Sequence, residues 1–417
     1  MSGRFLKDIG TLVSGNVVAQ AVSLLAYLLL TRIYPPEDFG VFNIFFSYIE
    51  VLVILSTCKY EMSIVVADDD REAWSVAQYT LRLNTCVSLA LLAVVTALWL
   101  FNALPGKSDA LGWLALLIPV LVFFMGSSRV YSGVCNRHRR FGQIALSETV
   151  NATAGAVLKV ILGLAGLLRS GLPIGTVLGK MAGNINYRLT MRRLAMPSTS
   201  REERRAAARK HSKFPHYVAP KDFMNSLSSN LPLLWLALYF DKAEVGLFAL
   251  ALTFTFRPAN LLNNAFEKVL YVRVSEAVRA RRSIAAPVRR FVLWVVAASL
   301  PVLVAAFLFA DPLFAFAFGG RWAGCGYYFR CLLPWVFVML PSTSLMFISN
   351  VFGTQRVEFY FYVVLLLLRV AAMLAGIVCG DFRLAILLFA LSGAAVALAL
   401  LLWYLWQVAR YERTIVR

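Results

Sequence analysis

The chain has 417 residues, 60% of them hydrophobic and only 15% charged, with 41 Lys and Arg against 22 Asp and Glu, a formal charge of +19. A soluble globular protein holds roughly 45–50% apolar and about 25% charged residues, so the composition excludes a water-soluble fold and indicates an integral membrane protein. In such a chain the positive surplus belongs to loops that face anionic headgroups, and nucleic acid is not an expected partner.

Crossing the hydrocarbon core takes about 20 apolar residues at 1.5 Å rise each. Twelve runs reach that length: 9–31, 40–66, 76–101, 111–135, 142–167, 172–189, 217–240, 245–272, 291–310, 327–352, 359–379 and 384–406. The first is too long for a signal-peptide core and lacks a small-residue cleavage site, so it reads as an uncleaved span. Between the spans, one set of alternating loops holds a single basic residue each: Arg32, Lys107, Arg169, Lys242, Arg321 and Arg383. The opposite set is rich in them. It begins with Arg4 and Lys7, continues with Arg137, Arg139, Arg140 and the run from Arg192 to Lys213, then Arg279, Arg281, Arg282, Arg289 and Arg290, and ends with Arg410, Arg413 and Arg417. The positive-inside rule places the rich set and both termini in the cytoplasm.

The expected fold is an all-α membrane protein of about twelve transmembrane helices in two parallel six-helix lobes around a central cavity. Residues 1–193 form the first lobe, 194–213 a basic cytoplasmic linker and 214–417 the second lobe. The linker segment PSTSREERRAAARKHS reads as a plain connection, with a basic surface helix on the inner leaflet as the other reading. Kinship between the halves rests on Phe39-Gly40-Val41-Phe42 and Val245-Gly246-Leu247-Phe248, offset by 206 residues, an offset that also carries Glu61 onto Glu267.

Several chemistries are absent. No G-x-x-x-x-G-K-[ST], H-E-x-x-H or G-x-S-x-G occurs, and no segment outside the spans is long enough for a catalytic domain, so neither an enzyme nor a cofactor is expected. The six cysteines form no C-x-x-C pair and read as small hydrophobes, while His138, His211 and His216 lack metal-ligand spacing. Asp68-Asp69-Asp70 reads as a solvated charge run at a helix end.

The informative residues are charges inside the apolar runs, each costing about 2.5–3.5 kcal/mol at mid-bilayer on insertion scales. Lys59 and Glu61 are two apart, so on a continuous helix they point about 200° apart and cannot pair; Arg82 is the expected partner of Glu61. Arg129, Arg330 and Lys268 lie near enough to span ends to snorkel. Lys159, Lys180, Arg257 and Arg369 do not reach water along their own helices, and the cations outnumber the carboxylates at depth. Lys59, Arg82, Lys159, Lys180, Arg257 and Arg369 are therefore the candidate substrate-binding residues, facing a wet cavity that favours an anion such as a phosphate.

Local motifs resemble those of a known family. Phe5-Leu6-Lys7-Asp8, Arg32-Ile33-Tyr34-Pro35-Pro36-Glu37-Asp38-Phe39-Gly40 and Lys59-Tyr60-Glu61 resemble the start of polysaccharide-export flippases. So do Asn136-Arg137-His138-Arg139-Arg140-Phe141 with Ile144-Ala145, Phe214-Pro215-His216-Tyr217 with Pro220, Leu231-Pro232, the run from Val245 to Ala251, Arg257-Pro258 and Ser275-Glu276. The resemblance is to the Wzx-type O-antigen and capsule flippases of the multidrug/oligosaccharidyl-lipid/polysaccharide exporter superfamily. It implies two lobes around a cavity and movement of undecaprenyl-diphosphate-linked oligosaccharide across the bacterial inner membrane. It also implies that Lys59-Tyr60-Glu61 faces the cavity and that polymerase and chain-length regulator are neighbours. In such a cycle Glu61 and Glu267 are the candidate sites of H+ or Na+ coupling. Two other readings compete. A multidrug exporter of the same superfamily would carry more carboxylates than cations in its cavity, and a polymerase or ligase would need a larger external loop than any expected here.

Overall fold

The computed structural model describes residues 22, 24–103, 111–193 and 199–415. Every regular element among them is helical, one of the few arrangements that satisfy backbone N–H and C=O groups in lipid. Arg4, Lys7, Lys107, Arg417, most of the first expected span, the Phe5-Leu6-Lys7-Asp8 motif and linker residues 194–198 lie outside the described residues.

The chain divides into two compact units, Met1–Leu238 and Tyr239–Arg417. The first contains α1 (Leu24–Ile33), α2 (Pro36–Thr57), α3 (Ser63–Val66), α4 (Asp70–Leu100), α5 (Leu117–Arg137), α6 (Phe141–Leu164), α7 (Leu168–Arg193), α8 (Arg201–Lys210) and nearly all of α9 (Ala219–Tyr239). The second contains α10 (Lys242–Arg279), α11 (Ala285–Leu308), α12 (Ala310–Phe318), α13 (Cys325–Ser344), α14 (Phe347–Val351), α15 (Gln355–Cys379) and α16 (Phe382–Ile415).

Nine helices among the described residues are long and apolar enough to cross a bilayer: α2, α4, α5, α6, α10, α11, α13, α15 and α16. The chain is a multi-pass membrane protein, although this count falls short of twelve. Helices α7 and α9 coincide with the sixth and seventh expected spans but carry Lys180, Asn184 and Arg188, and Lys221, Asp222 and Asn230, which lower their hydropathy. In the first unit α2 and α5 are inner helices, 67% and 56% buried over their apolar windows, whereas α4 is only 11% buried. In the second unit α13 and α16 are inner and α11 is outer. Leu89, Val94 and Leu100 on α4, and Leu293, Val302 and Leu308 on α11, are exposed side chains whose solvent is the acyl chains.

Helices α6 and α7 form the most extensive helix pair. Gly171, Gly175, Gly179 and Gly183 recur every fourth residue and so share one face of α7. A Cβ on Gly179 would sit 2.6 Å from Gly155 Cα, and one on Gly175 would sit 2.9 Å from Lys159 N. The backbones touch because nothing projects between them, the packing that small residues permit where lipid supplies no hydrophobic drive. Gly171 and Gly163 also clear a space for Tyr34, whose ring is fully buried and whose hydroxyl donates to the Lys159 carbonyl at 2.7 Å.

The second expected span is not one helix. It stops at Thr57, Cys58 and Lys59 take the left-handed conformation at φ 46° and 61°, and a 3-10 turn over Tyr60–Met62 follows. The 200° relation between Lys59 and Glu61 therefore does not apply. The corresponding stretch of α10, 206 residues later, runs through as helix, so the break belongs to the first unit alone.

The basic linker also differs from the plain connection expected. Ser200 caps α8 by accepting from Glu203 N–H, and Glu203 returns a carboxylate to Ser200 N–H. Ala207 and Ala208 pack into a core shared with Tyr60, Trp74 and Ala77. The aspartate run stands at the start of α4 with Asp68 and Asp70 exposed, as expected, and Asp68 also reaches this helix. Asp68 pairs with Lys210 at 2.7 Å, Asp69 caps α4, Asp70 pairs with Arg137 at 2.8 Å, and Glu72 accepts from Lys210 and His211.

Candidate functional site

A cavity of about 570 Å³ opens in the first unit, walled by the turn after α2 and by α5, α6 and α7. Helix α5 contributes one face: Met125, Ser128, Arg129, Ser132, Gly133 and Asn136 recur at three- and four-residue spacing. Gly133 lets that face approach the broken segment, since a Cβ there would lie 3.0 Å from the Glu61 carbonyl oxygen.

Four charged side chains line the cavity: Glu61, Arg129, Glu148 and Lys180. Lys180 Nζ lies 3.3 Å from Glu148 Oε2, and Asn151 donates to the same oxygen at 3.3 Å. The remaining two are unsatisfied. Glu61 is 8% exposed and its Oε2 has no hydrogen-bond partner, and Arg129 Nη1 is likewise buried without one. A buried charged group without a partner is costly, so these two atoms mark where an incoming hydroxyl, amide or phosphate gains most. Two acids face two bases, so the formal charge of this wall is zero rather than positive.

The other candidates are dispersed. Lys59 turns away to Asp222 on α9, Nζ to Oδ2 2.7 Å. Arg82 is exposed on α4, where its charge is felt by Arg204, and it forms no pair with Glu61. Lys159 is half-buried with Nζ 5.1 Å from the Phe42 ring centre. In the second unit Arg257 is exposed and Glu267 is half-buried. Arg369 is 3% exposed, its guanidinium 4.9 Å from the Trp335 ring and 4.6 Å from Phe389. Of the eight candidates, only Glu61 and Lys180 share the cavity.

Sequence reasoning passed over Glu148, although a carboxylate in an apolar span is as costly as a lysine. It treated Arg129 as a snorkelling residue, yet Ser128, Ser132 and Asn136 beside it form a polar stripe legible at helical spacing. In the second unit the missed residue is Glu358, buried at the start of α15 and accepting from Ser349 Oγ. Among the described residues no cluster of His, Cys, Asp or Glu has the form of a metal site.

The family model described as "Polysaccharide biosynthesis protein" matches residues 29–326. The chain belongs to this polysaccharide biosynthesis family. It is 22% identical over 395 residues to the succinoglycan biosynthesis transport protein ExoT of Rhizobium meliloti (strain 1021), covering 93% of this chain and 76% of that one. Its fold is that of known transporters. The lipid II flippase MurJ in an inward closed conformation superposes with TM-score 0.74 at 11% identity, over 97% of this chain and 91% of MurJ. An inward-facing multidrug resistance MATE transporter of the MOP superfamily gives TM-score 0.73 at 15% identity, over 95% and 96%. Family and fold agree that this is a membrane protein of polysaccharide biosynthesis with transporter architecture.

Proposed function

We propose that this member of the polysaccharide biosynthesis family flips undecaprenyl-diphosphate-linked oligosaccharide from the cytoplasmic to the outer leaflet of a bacterial inner membrane, with both termini in the cytoplasm. The observation that carries the reading is the cavity of about 570 Å³ set among apolar helices and walled by Glu61, Arg129, Glu148 and Lys180. A chain built only to sit in lipid would not gather four charges around an open volume. The kinship with a succinoglycan transport protein and the fold shared with a lipid II flippase support a lipid-linked sugar as cargo. Polar headgroup atoms satisfy Glu61 and Arg129 while the polyprenyl chain stays in hydrocarbon. The site then faces the two leaflets in turn, and protonation or Na+ binding at Glu61 and Glu267 couples the turn to an ion gradient.

The test is reconstitution. Purified protein in liposomes with a fluorescent polyprenyl-diphosphate sugar in one leaflet should deliver it to the other. Arg129→Gln and Glu61→Gln should each slow delivery by at least about tenfold, the effect of losing one charge-assisted hydrogen bond. Delivery at the unaltered rate in both variants rejects this cavity as the substrate site. Collapse of an imposed proton or sodium gradient should slow the unaltered protein, and an unchanged rate rejects ion coupling.

A further inference from the structure

Helix α8 has two faces. Arg204, Ala207 and Ala208 are buried against the first unit, while Arg201, Arg205 and Arg209 are exposed. The three exposed arginines recur every fourth residue, so they stand in a row about 6 Å apart along the helix. Their neighbourhood has already used its carboxylates. Asp68 and Glu72 are held by Lys210, Asp70 by Arg137 and Glu203 by Arg71. Among the described residues none of Arg201, Arg205 and Arg209 has an ion-pair partner, Glu202 beside them included.

The level of this row relative to lipid follows from its neighbours. Ala207 and Ala208 share one core cluster with Ile144, Tyr187 and Met191. On the same turns of α6 and α7, Leu146 and Leu189 are exposed. Apolar side chains facing outward mark hydrocarbon, so α8 stands where that surface gives way to water, the level of lipid phosphates. A guanidinium offers a planar fork of donors to phosphate oxygens, and a fixed helix with its apolar face already buried presents three of them without further ordering.

We infer that the Arg201–Arg205–Arg209 row is a binding site for the headgroups of acidic phospholipids. The inference is independent of what the cavity carries. Lipid bound there anchors α8, and through Tyr60, whose hydroxyl donates to the Ala208 carbonyl at 3.3 Å, it steadies the turn that holds Lys59 and Glu61.

The experiment measures lipid retention by the purified full chain in nanodiscs of phosphatidylcholine doped with phosphatidylglycerol, read by native mass spectrometry. The triple variant R201Q/R205Q/R209Q should retain phosphatidylglycerol about fivefold more weakly per arginine removed, roughly a hundredfold in all, the factor set by attraction of one basic side chain to an anionic surface. The control R281Q/R282Q/R289Q removes the same charge from three exposed arginines of the second unit and should weaken retention about tenfold less than the row does, because those side chains meet headgroups only through the general surface attraction. Equal loss in both variants would show a net-charge effect, and retention unchanged in the first would show that the row binds no lipid; either overturns the inference. A thermal midpoint matching the unaltered chain confirms that each variant is folded.

Discussion

Lys180 and Glu148 face each other across the glycine seam of α6 and α7, Nζ to Oε2 3.3 Å apart, with side chains 17% and 29% exposed. The pair exists because Gly175, Gly179 and Gly183 let the two backbones approach so closely. It lies between the surface regime, where an ion pair is worth at most about 1 kcal/mol, and the buried one, where breaking it costs about 3–5 kcal/mol. Glu148→Gln should therefore destabilise the protein by about 1–2 kcal/mol, and the exchange Lys180→Glu with Glu148→Lys should recover most of that. Thermal midpoints of the two variants and the unaltered chain in detergent measure it; a double exchange no better than the single change would mean the two charges are not coupled.

Gly179→Leu tests the seam itself. The first added carbon would lie 2.6 Å from Gly155 Cα and 2.9 Å from the Asn151 carbonyl oxygen, both backbone. Overpacking of this kind costs about 1–3 kcal/mol or more, because helices rather than side chains must move. The expected result is a lower thermal midpoint together with reduced delivery of lipid-linked sugar, since the cavity wall shifts. Gly142, with nothing within 4 Å of its added carbon, is the control position and should accept Ala without loss.

The left-handed turn after α2 is occupied by Cys58 and Lys59, neither of which favours φ 46° or 61°. Cys58→Gly removes that penalty and should stabilise the protein by up to about 1 kcal/mol. Lys59→Gly relieves the same strain but abandons the 2.7 Å pair with Asp222, so it should be neutral or destabilising. Chemical-denaturation midpoints that rank Cys58→Gly below the unaltered chain would refute a strained turn.

Docking of α8 should depend on pH. The hydrogen bond and charge of Lys210 hold the Asp68 carboxyl below its ordinary value, and the Ser200 N–H, with Arg71, does the same for Glu203. A carboxyl depressed in the folded state contributes stability above its unfolded pKa of roughly 4, and that contribution is lost as pH falls through the folded value. Hydrogen exchange over 199–211 should therefore be slow and flat from neutral pH down to about 5, after correction for intrinsic rates, and accelerate below about 4. Protection that weakens instead as pH rises through neutrality would assign the docking to other groups.

Arg369 should be structural. Its guanidinium lies over Trp335 and Phe389 and is 3% exposed. Arg369→Lys replaces a flat delocalised cation with a compact, strongly hydrated one and should cost about 1–2 kcal/mol, with a shift in Trp335 emission. Unchanged emission and midpoint, coupled with lost delivery, would return Arg369 to a role in binding substrate.

Composition and run length alone determined that this chain is a helical membrane protein, because lipid leaves a backbone few other ways to satisfy its polar groups. They also exposed Glu61 and Lys180, since an ionisable residue in an apolar run is conspicuous wherever it falls. What only the tertiary structure decided is which charges meet. Lys59 and Glu61 part at a turn that no local pattern announces, because Cys58 and Lys59 are not the residues such a turn selects. Glu148 finds Lys180 across 32 residues through glycines whose spacing is visible but whose partner is not. The aspartate run is exposed as its composition suggests, but Asp68 also meets Lys210, 142 residues away on α8, a partner no local pattern names. Long-range pairing depends on which faces come together, and a linear pattern records each face without naming the one opposite.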